Sequence, residues 1–442
     1  LTSLSLKAAF HTLGCKVNYF ETESLKGMMR REGFEVVPFH ETADVYVINT
    51  CTVTHLADRK SRQAIRRARR QNPGALVAVI GCYVQASPAE AASIPGVDLL
   101  LGTRGRLSLP QLLKRKIAGE MLDVQVQPHG REAPFEELPP MLEQGRTRAF
   151  LKIQEGCSRS CSYCIVPAAR GPLRSLAPGR AVEQLREISR AGFKEVVLTG
   201  VQLGLYGVDL QPQVDLASYL RQAVEVEGIE RLRLSSIEPG EFSDSLVEVI
   251  AEHEKICRHL HIPLQSGDDE ILWQMRRPYD SSFFRDLLKR LREMVPDLAV
   301  SSDIIVGFPG ETEDHFQRSL EFVRECAFSR LHIFKFSPRR GTAAEKMSLQ
   351  VPPQVKEERR RLMAALGEEL SRCYRESFSG SILSVLFEKK VGDGIMEGLT
   401  SNYLRVRAPV PGDWRGRISD VIIVKSTDNG YLEGTVCTSS AV

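Results

Sequence analysis

No stretch of the 442 residues approaches the roughly 18 uncharged apolar residues that a spanning helix requires. The best candidate, Gly74 to Val84, is too short and reads as a buried strand. The first residues, LTSLSLKAAF, lack the long apolar region and cleavage site of a secretory signal, so a soluble, cytoplasmic enzyme is expected. A global basic excess is missing too. With 59 Lys plus Arg against 56 Asp plus Glu, any nucleic-acid partner has to be met by locally sorted charge. Neither GxxxxGK[ST] nor HExxH occurs, which leaves phosphate-loop nucleotide hydrolysis and zinc proteolysis without support. Ten cysteines fall far short of disulfide density in a chain of this length. In a reducing compartment, cysteines at purposeful spacings are metal ligands before they are cross-links.

What is present is an ordinary folding composition, 42% hydrophobic and 26% charged, long enough for two to four domains. Before residue 90 one pattern occurs three times: an apolar run, a cysteine, a helix-compatible stretch. The runs are Ala8 to Leu13 before Cys15, Val45 to Asn49 before Cys51 and Leu76 to Ile80 before Cys82. The intervening Tyr19 to Glu32 and Leu56 to Gln71 suit crossover helices, so the region reads βαβαβ with a parallel sheet. All three cysteines then fall where such a sheet gathers ligands. Residues 1–125 form this expected first domain, and the proline-broken 126–146 a linker. From 147 to 375, apolar runs at 148–154, 195–199, 231–235, 259–262, 298–306 and 330–336 alternate with helical stretches, which predicts a partial (β/α)6 barrel with its site at the strands' C-terminal ends. A charged helix over Gln354 to Tyr374 follows. Residues 376–442, with short runs such as Ile382 to Phe387, Tyr403 to Val406 and Val421 to Val424, predict a small all-β barrel.

The strongest chemical signal is Cys157, Cys161 and Cys164 in a CxxxCxxC spacing just past a strand. Three thiolates ligate three irons of a four-iron cluster and leave the fourth iron open. A closed structural zinc site would want a fourth Cys or His close by, and none is there. Cys15, Cys51 and Cys82 form a second trio, supported by equivalent placement after three strands rather than by local spacing. The alternative for each is a buried apolar thiol. Cys257, Cys326, Cys373 and Cys437 match no ligand spacing, and His259 and His261 on one strand face read as packing residues.

The CxxxCxxC spacing resembles the radical S-adenosylmethionine superfamily, whose open iron chelates that cofactor. The resemblance implies cofactor contacts at strand ends: Thr199 and Gly200, then Ser235, Ser236 and Glu238, then Gln265 and Ser266, then Val306, Gly307 and Phe308. LGCKVNYFET, NTCTVTHLADRKSRQAIRRARR, GCY, FLKIQEGCSRSCSYCIVPAARG, HIPLQSG, DIIVGFPGET and FKFSPRRGT, in that order, resemble the tRNA methylthiotransferases over essentially the whole chain. EGLTSNYLRV is similar to their TRAM domain. That resemblance implies two [4Fe-4S] clusters and S-adenosylmethionine as both methyl donor and radical source. It implies a sulfur methylated at the Cys15, Cys51 and Cys82 cluster, and a 5'-deoxyadenosyl radical that opens an unactivated adenine carbon. It also implies a reducing electron donor such as flavodoxin or ferredoxin, and it leaves the sulfur source open. GCKVNYFET, CTVTHLADRKSR and VQLGLYG look most like the bacterial threonylcarbamoyladenosine branch, against branches acting on isopentenyladenosine or on a ribosomal protein aspartate. A non-catalytic iron–sulfur RNA-binding redox sensor is the alternative from a different class.

Local charge supports RNA. Asp58 to Arg70 holds seven basic residues and one acidic, and on a helix Arg62, Arg66 and Arg69 share a face suited to phosphates. The alternative is a solvated surface helix. From Glu376 onward seven basic residues meet eight acidic ones, so RNA contact there falls to Lys389, Lys390, Arg405 and Arg407. Arg170 and Arg174, just past the CxxxCxxC loop, are the candidates for pairing with a substrate carboxylate.

Overall fold

The structure is a computed structural model that describes residues 5–122, 126–130, 133–140, 142 and 147–437. The first unit is a parallel five-stranded sheet in the order β2-β1-β3-β4-β5, from β1 (Lys7–Thr12), β2 (Glu35–Val37), β3 (Val45–Thr50), β4 (Leu76–Gly81) and β5 (Leu99–Leu101). β3 is buried along its whole length, as a central parallel strand covered on both faces must be. Helices α1 (Lys16–Arg31), α2 (His55–Gln71) and α3 (Cys82–Ala86) leave the C-terminal ends of β1, β3 and β4. The three short strand-helix corners therefore lie side by side. β2 and β5 are too short to be legible as separate strands in the sequence.

The expected barrel follows. Six parallel strands, β6 (Arg148–Lys152), β9 (Glu195–Thr199), β10 (Arg231–Leu234), β11 (His259–His261), β12 (Ala299–Val306) and β13 (Arg330–Lys335), form two three-stranded sheets joined by a parallel bridge between Ser236 and His261. Between β6 and β9, two short strands, β7 (Gln154–Glu155) and β8 (Arg174–Ser175), pair antiparallel and pinch the base of the CxxxCxxC loop. Strand alternation sorts the side chains. Leu151, Val196, Leu198, Leu232, Leu234, Leu260, Val300 and Ile304 join the core under the helices. Their alternates Lys152, Glu195, Thr199, Arg233, His259, His261, Ser301, Asp303 and His332 face the lumen, which is thus polar.

After a helix over Pro353–Glu376, β14 (Ile382–Gly392), β15 (Ile395–Thr400), β16 (Arg405–Pro409), β17 (Ile418–Ser426) and β18 (Leu432–Val436) close into the expected small barrel, ordered β14-β15-β16-β18-β17. It caps the N-terminal end of the larger barrel. Arg231 donates to Leu399 O (2.9 Å) and Ser384 O (2.6 Å), and Arg233 to Ser401 O (2.9 Å) and Thr400 O (3.1 Å). The β15-β16 turn inserts Tyr403, at φ +68°, between Arg233 (4.7 Å from the ring centroid) and His259 (ring centroids 4.6 Å apart).

Glu195 anchors this end. Fully buried, it binds Arg233 at 2.7 Å and lies 3.6 Å from Arg231 and 4.0 Å from Arg148. Burial would raise its carboxyl, but Arg233, Arg148 and Arg231 outweigh that and hold it below the usual range. Glu195→Ala strands buried guanidinium groups, and unfolding in denaturant should show a loss of about 3–5 kcal/mol. An unchanged midpoint would mean that the docked C-terminal barrel neutralises those cations without it.

Candidate active site

Cys15 caps the N-terminus of α1, Cys51 follows β3 and Cys82 opens α3. Asn18 Oδ1 lies 3.9 Å from Cys15 Sγ and 4.0 Å from Cys82 Sγ, so one side chain bridges two of the three thiols. The approach is tight enough to require glycine: at Gly14, φ +105°, a Cβ would sit 2.8 Å from Cys51 Cβ, and at Gly81, φ +99°, 2.8 Å from Thr50 O. Burial, with Cys82 nearby, pushes the Cys51 thiol up to about 12, and burial raises Cys82 despite Arg170. Thiols so placed become thiolates only against compensating positive charge, as bound metal supplies.

The second trio is held by the loop after β7. Arg159 N lies 3.4 Å from Cys157 Sγ, and Arg277 Nη1 donates to Cys161 Sγ at 3.2 Å. Burial raises Cys157 and takes Cys164 to about 12. Among the described residues only His261, Asp303 and His332 bring ligand atoms within 4.8 Å of one another. Both cysteine trios are therefore spread more widely than one ion's ligands, which disfavours zinc and fits a multi-iron cluster held by three thiolates each.

A buried charge network joins the two trios. Arg170, in the helix Val166–Arg170 that follows Cys164, donates Nε to Cys82 Sγ at 3.2 Å and Nη1 to Glu21 (2.6 Å) and Glu155 (2.8 Å); it also binds Asn18. Arg106 binds Glu21 at 2.5 Å and Glu155 at 3.2 Å, and Lys152 binds Glu155 at 2.9 Å. Burial works against both carboxylates. For Glu21 the opposing cations are led by Arg106 and Arg170, for Glu155 by Lys152 and Arg106, and both groups end below the usual range, Glu155 well below. This corrects the expectation for Arg170 as a substrate partner, because it is 2% exposed and its donors are consumed. Arg174, 3% exposed, spends Nη2 on Arg170 O and keeps its Nε buried without a partner. Glu21 and Asn18 went unnoticed in the sequence, although their spacing from Cys15 places them on one face of a helix.

The strand-end residues gather around the second trio's side of the lumen. Thr199 Oγ1 is buried without a partner. Gly200 N donates to Ser235 Oγ (3.3 Å), and Gln154 Oε1 accepts from Val201 N and Gln202 N (both 2.8 Å), fixing the turn. Glu238 pairs with the Arg277 that also reaches Cys161. Gln265, at φ +71°, accepts from Ile305 N at 2.8 Å, and Ser266 Oγ accepts from Asp268 N at 3.3 Å. Val306 ends β12, Gly307 N donates to Glu311 (2.6 Å), and Phe308 packs on Phe336 at 5.3 Å. An orphaned hydroxyl among backbone turns and small polar groups fits a polar cofactor. Ser236 instead helps to join the two half-sheets through its bridge to His261.

Deeper in the lumen, Asp303 accepts from His261 Nε2 (3.3 Å) and His332 Nδ1 (3.2 Å), and Ser301 Oγ meets His259 Nε2 (3.0 Å) and His261 Nδ1 (2.9 Å). Burial opposes ionisation of Asp303, but the two imidazoles hold it well below the usual range. The paired histidines thus line the cavity, where the sequence suggested plain packing. Burial lowers the Lys16 ammonium from its ordinary value, with Tyr403 and Cys15 opposing that and Arg233 and Arg148 adding to it.

The basic face of α2 is divided. Arg66 is exposed, along with Arg59, Lys60, Arg67 and Arg70. Arg62 is drawn to Glu90 at 3.2 Å. Arg69 is committed to Pro73 O, Ala75 O and Gly96 O (each 2.8 Å) and to Asp98 (2.6 Å), so its guanidinium braces a turn and does not project to phosphates as expected. Asp58 binds Arg339 of the SPRRGT segment at 2.6 Å, a second buried clamp between α2 and the barrel. On the small barrel, Lys389 (3.1 Å) and Arg407 (2.9 Å) share Glu397, Lys390 lies 3.4 Å from Asp393, and Arg405 is exposed.

Two family models match the chain: "Uncharacterized protein family UPF0004" over residues 7–102 and "Radical SAM superfamily" over 151–323. The chain is 44% identical over 423 residues, 95% of its length and 94% of the relative's, to the threonylcarbamoyladenosine tRNA methylthiotransferase MtaB of Bacillus subtilis. It is 33% identical, over 94% of each chain, to a tRNA-2-methylthio-N(6)-dimethylallyladenosine synthase of Clostridium botulinum. The fold resembles that of the radical S-adenosylmethionine methyltransferase TsrM from Kitasatospora setae, with TM-score 0.57 and 15% identity over 83% of this chain and 89% of that one.

Because the Glu21 and Glu155 carboxyls are depressed in the folded state, the stability they contribute is present above the ordinary carboxylate value of about 4.3 and lost as pH falls through their lower folded values. Arg170→Met removes a cation holding them down. Its stability should fall by about 3–5 kcal/mol at neutral pH, and its acid unfolding should begin at higher pH than in the parent. Coincident acid transitions followed by circular dichroism would contradict the network's role.

Proposed function

The chain belongs to the radical S-adenosylmethionine methylthiotransferases, and from that membership we propose that it converts N6-threonylcarbamoyladenosine, next to the anticodon of tRNA, to its 2-methylthio derivative. The observation that supports the reading is that the helix directly after Cys164 sends Arg170 to Cys82 Sγ, so the loop of one cysteine trio touches the other. Greater identity to the threonylcarbamoyl-acting relative than to the dimethylallyl-acting one supports the branch.

Cys157, Cys161 and Cys164 would hold the cluster that binds S-adenosylmethionine, and Cys15, Cys51 and Cys82 the auxiliary cluster. When bound, these groups supply the methyl group, the sulfur and the radical that removes hydrogen from an adenine carbon whose C–H no side-chain base can usefully deprotonate. The protein's share is placement. Gln154 and Ser235 shape the Thr199-Gly200 turn for the cofactor's polar end, while Glu238, Gln265, Ser266, Val306, Gly307 and Phe308 would complete its wall. Arg277 ties the Cys161 thiol to Glu238, coupling cluster loop and cofactor wall. The C-terminal barrel sets Tyr403 against Arg233 and His259 at the lumen's far end. We assign the reductant to a protein donor such as flavodoxin or ferredoxin and the place of action to the cytoplasm; no helix among the described residues is long and apolar enough to cross a membrane.

Exposed Arg66, with Arg59, Lys60 and Arg70 beside it, is assigned to the tRNA backbone, as is Arg405 on the small barrel. Arg66→Ala should flatten the log-log salt dependence of tRNA binding by roughly 0.7 to 0.9. Arg69→Ala should leave that slope alone, and the reverse pattern would remove α2 from the RNA interface.

Anaerobically reconstituted protein should carry two four-iron clusters, and replacing either cysteine trio by alanine should halve iron and sulfide. Retention of full iron after loss of one trio would refute the two-site assignment. For the reaction itself, nucleosides from tRNA of a deletion strain are resolved by mass spectrometry. N6-threonylcarbamoyladenosine should persist while its 2-methylthio derivative disappears, with isopentenyl-derived nucleosides untouched. Loss of only the isopentenyl-derived methylthio product would overturn the branch.

A further inference from the structure

Reductive cleavage of S-adenosylmethionine takes one electron per event, and that electron reaches the Cys157, Cys161 and Cys164 site through whatever lies between it and the surface. Two segments back the cluster loop. Ser162 N donates to Met275 O (3.1 Å) and Ser162 Oγ to Gln274 O (2.8 Å), at the end of the helix Asp269–Gln274. Ser162 O accepts from Ala344 N (2.7 Å), in the turn Ala344–Lys346. Tyr163, between Cys161 and Cys164, packs against the apolar cluster that holds Ile271, Met275 and Ala344. On their inner side both segments are thus one hydrogen bond from the loop.

Their outer side leaves apolar surface uncovered. Trp273 is 79% exposed and Leu349 77%; among the described residues only Met121 is a more exposed large apolar side chain. Gly310 draws the two segments together, because its N donates to Leu349 O (3.0 Å) and a Cβ on it would sit 3.2 Å from Oε1 of Gln274, the residue after Trp273. Arg276, Arg340 and Lys346 are exposed on the same segments, and among the described residues none of the three side chains forms a hydrogen bond or ion pair. Across 273–278 and 340–349 the only carboxylate is Glu345, which accepts from Gly341 N at 2.8 Å. An apolar centre rimmed by unpaired cations complements an apolar patch rimmed by carboxylates. An RNA backbone would use the cations and leave the indole uncovered. Electron-transfer complexes need no more than a small interface, below about 1,200 Å², whose encounter is steered by charge.

We propose that the surface of Trp273 and Leu349, rimmed by Arg276, Arg340 and Lys346, docks the acidic one-electron carrier protein that reduces the cluster held by Cys157, Cys161 and Cys164. The inference rests on the reading under Proposed function and gives its protein donor a place on the chain. One electron passes from the reduced carrier, which is oxidised by one equivalent, to the cluster, which is reduced by one; no covalent bond forms or breaks. The route is short in bonds, from the Trp273 peptide through the Gln274 carbonyl and the Ser162 hydroxyl to the neighbouring Cys161.

The test uses the full-length reconstituted holoenzyme, an acidic flavodoxin as carrier, and dithionite as a small reductant that needs no docking surface. Trp273→Ala and the double variant Arg276→Glu, Lys346→Glu should each weaken binding of the oxidised flavodoxin, read by calorimetry, by about 10-fold or more. The double variant should also flatten the salt dependence of that binding. 5'-Deoxyadenosine formation driven by limiting flavodoxin hydroquinone should fall in step, while the dithionite-driven rate, iron content and tRNA affinity stay parental. Parental flavodoxin affinity in both variants overturns the proposal and leaves the methylthiotransferase reading standing. An equal loss under both reductants also overturns it, because it marks a structural role, as does a loss of tRNA affinity with flavodoxin affinity kept, which gives the patch to RNA. A parent holoenzyme that forms no 5'-deoxyadenosine with either reductant would instead bring down the reading on which the inference rests.

Discussion

The structure turns on a buried knot of charge between α1, the segment at Arg106, the end of the first barrel strand and the helix after the CxxxCxxC loop. Glu21, Glu155, Arg106, Lys152 and Arg170 are all within a few per cent of complete burial. Such a network is weak evidence for net stability, since well-packed apolar groups of the same volume often do as well. Its value is positional. A guanidinium that bonds Cys82 Sγ and two carboxylates from two different units has one geometry available to it. Shifting the N-terminal unit on the barrel would leave several charges buried and unpaired. The second clamp, Arg339 with Asp58 and Thr52, stops rotation about the first.

The barrel interior extends the same logic. Alternation along β6, β9, β10, β11, β12 and β13 delivers a column of polar residues to the inside because the outward alternates are claimed by the helices. Each strand is short, so each contributes only two or three lumen groups, and their partners come from neighbouring strands: Asp303 with His261 and His332, Ser301 with both His259 and His261. A lumen built this way is preorganised: its dipoles are fixed before substrate arrives. Tyr403 closes it from below at the cost of a left-handed backbone conformation, a strain that the contacts with His259 and Arg233 offset.

Much of this was legible in the sequence. The strand-cysteine-helix pattern put Cys15, Cys51 and Cys82 together because a parallel sheet presents its ligands at one end, the CxxxCxxC spacing marked the other trio, and the apolar runs marked all six barrel strands. Side-chain assignments failed where one residue type admits opposite roles. Arg170 was read as a ligand for a substrate anion; the anions it meets are Glu21 and Glu155, 149 and 15 residues away in the chain. Arg69 sits on the predicted basic face, yet a turn of free carbonyls and Asp98 lies within its reach. Spacing along a helix says which face a residue occupies. It says nothing of what the rest of the chain brings to that face.

Charge counting shows what the protein alone leaves unsettled and where. Around the knot, Arg106, Lys152, Arg170 and Arg174 outnumber Glu21, Glu136 and Glu155 by one, and the surplus lies against Cys82, a group that becomes anionic on binding metal. At the barrel's other end Arg148, Arg231 and Arg233 outnumber Glu195 and Glu388 by one. Buried charge of one sign is costly unless something answers it. The first surplus is answered by thiolates within the chain once metal ligation ionises them. The second is met by backbone carbonyls of the C-terminal barrel, from Ser384, Leu399, Thr400 and Ser401. The two imbalances thus divide the cavity into a wall that completes itself on cluster assembly and a wall that is complete once the small barrel is docked.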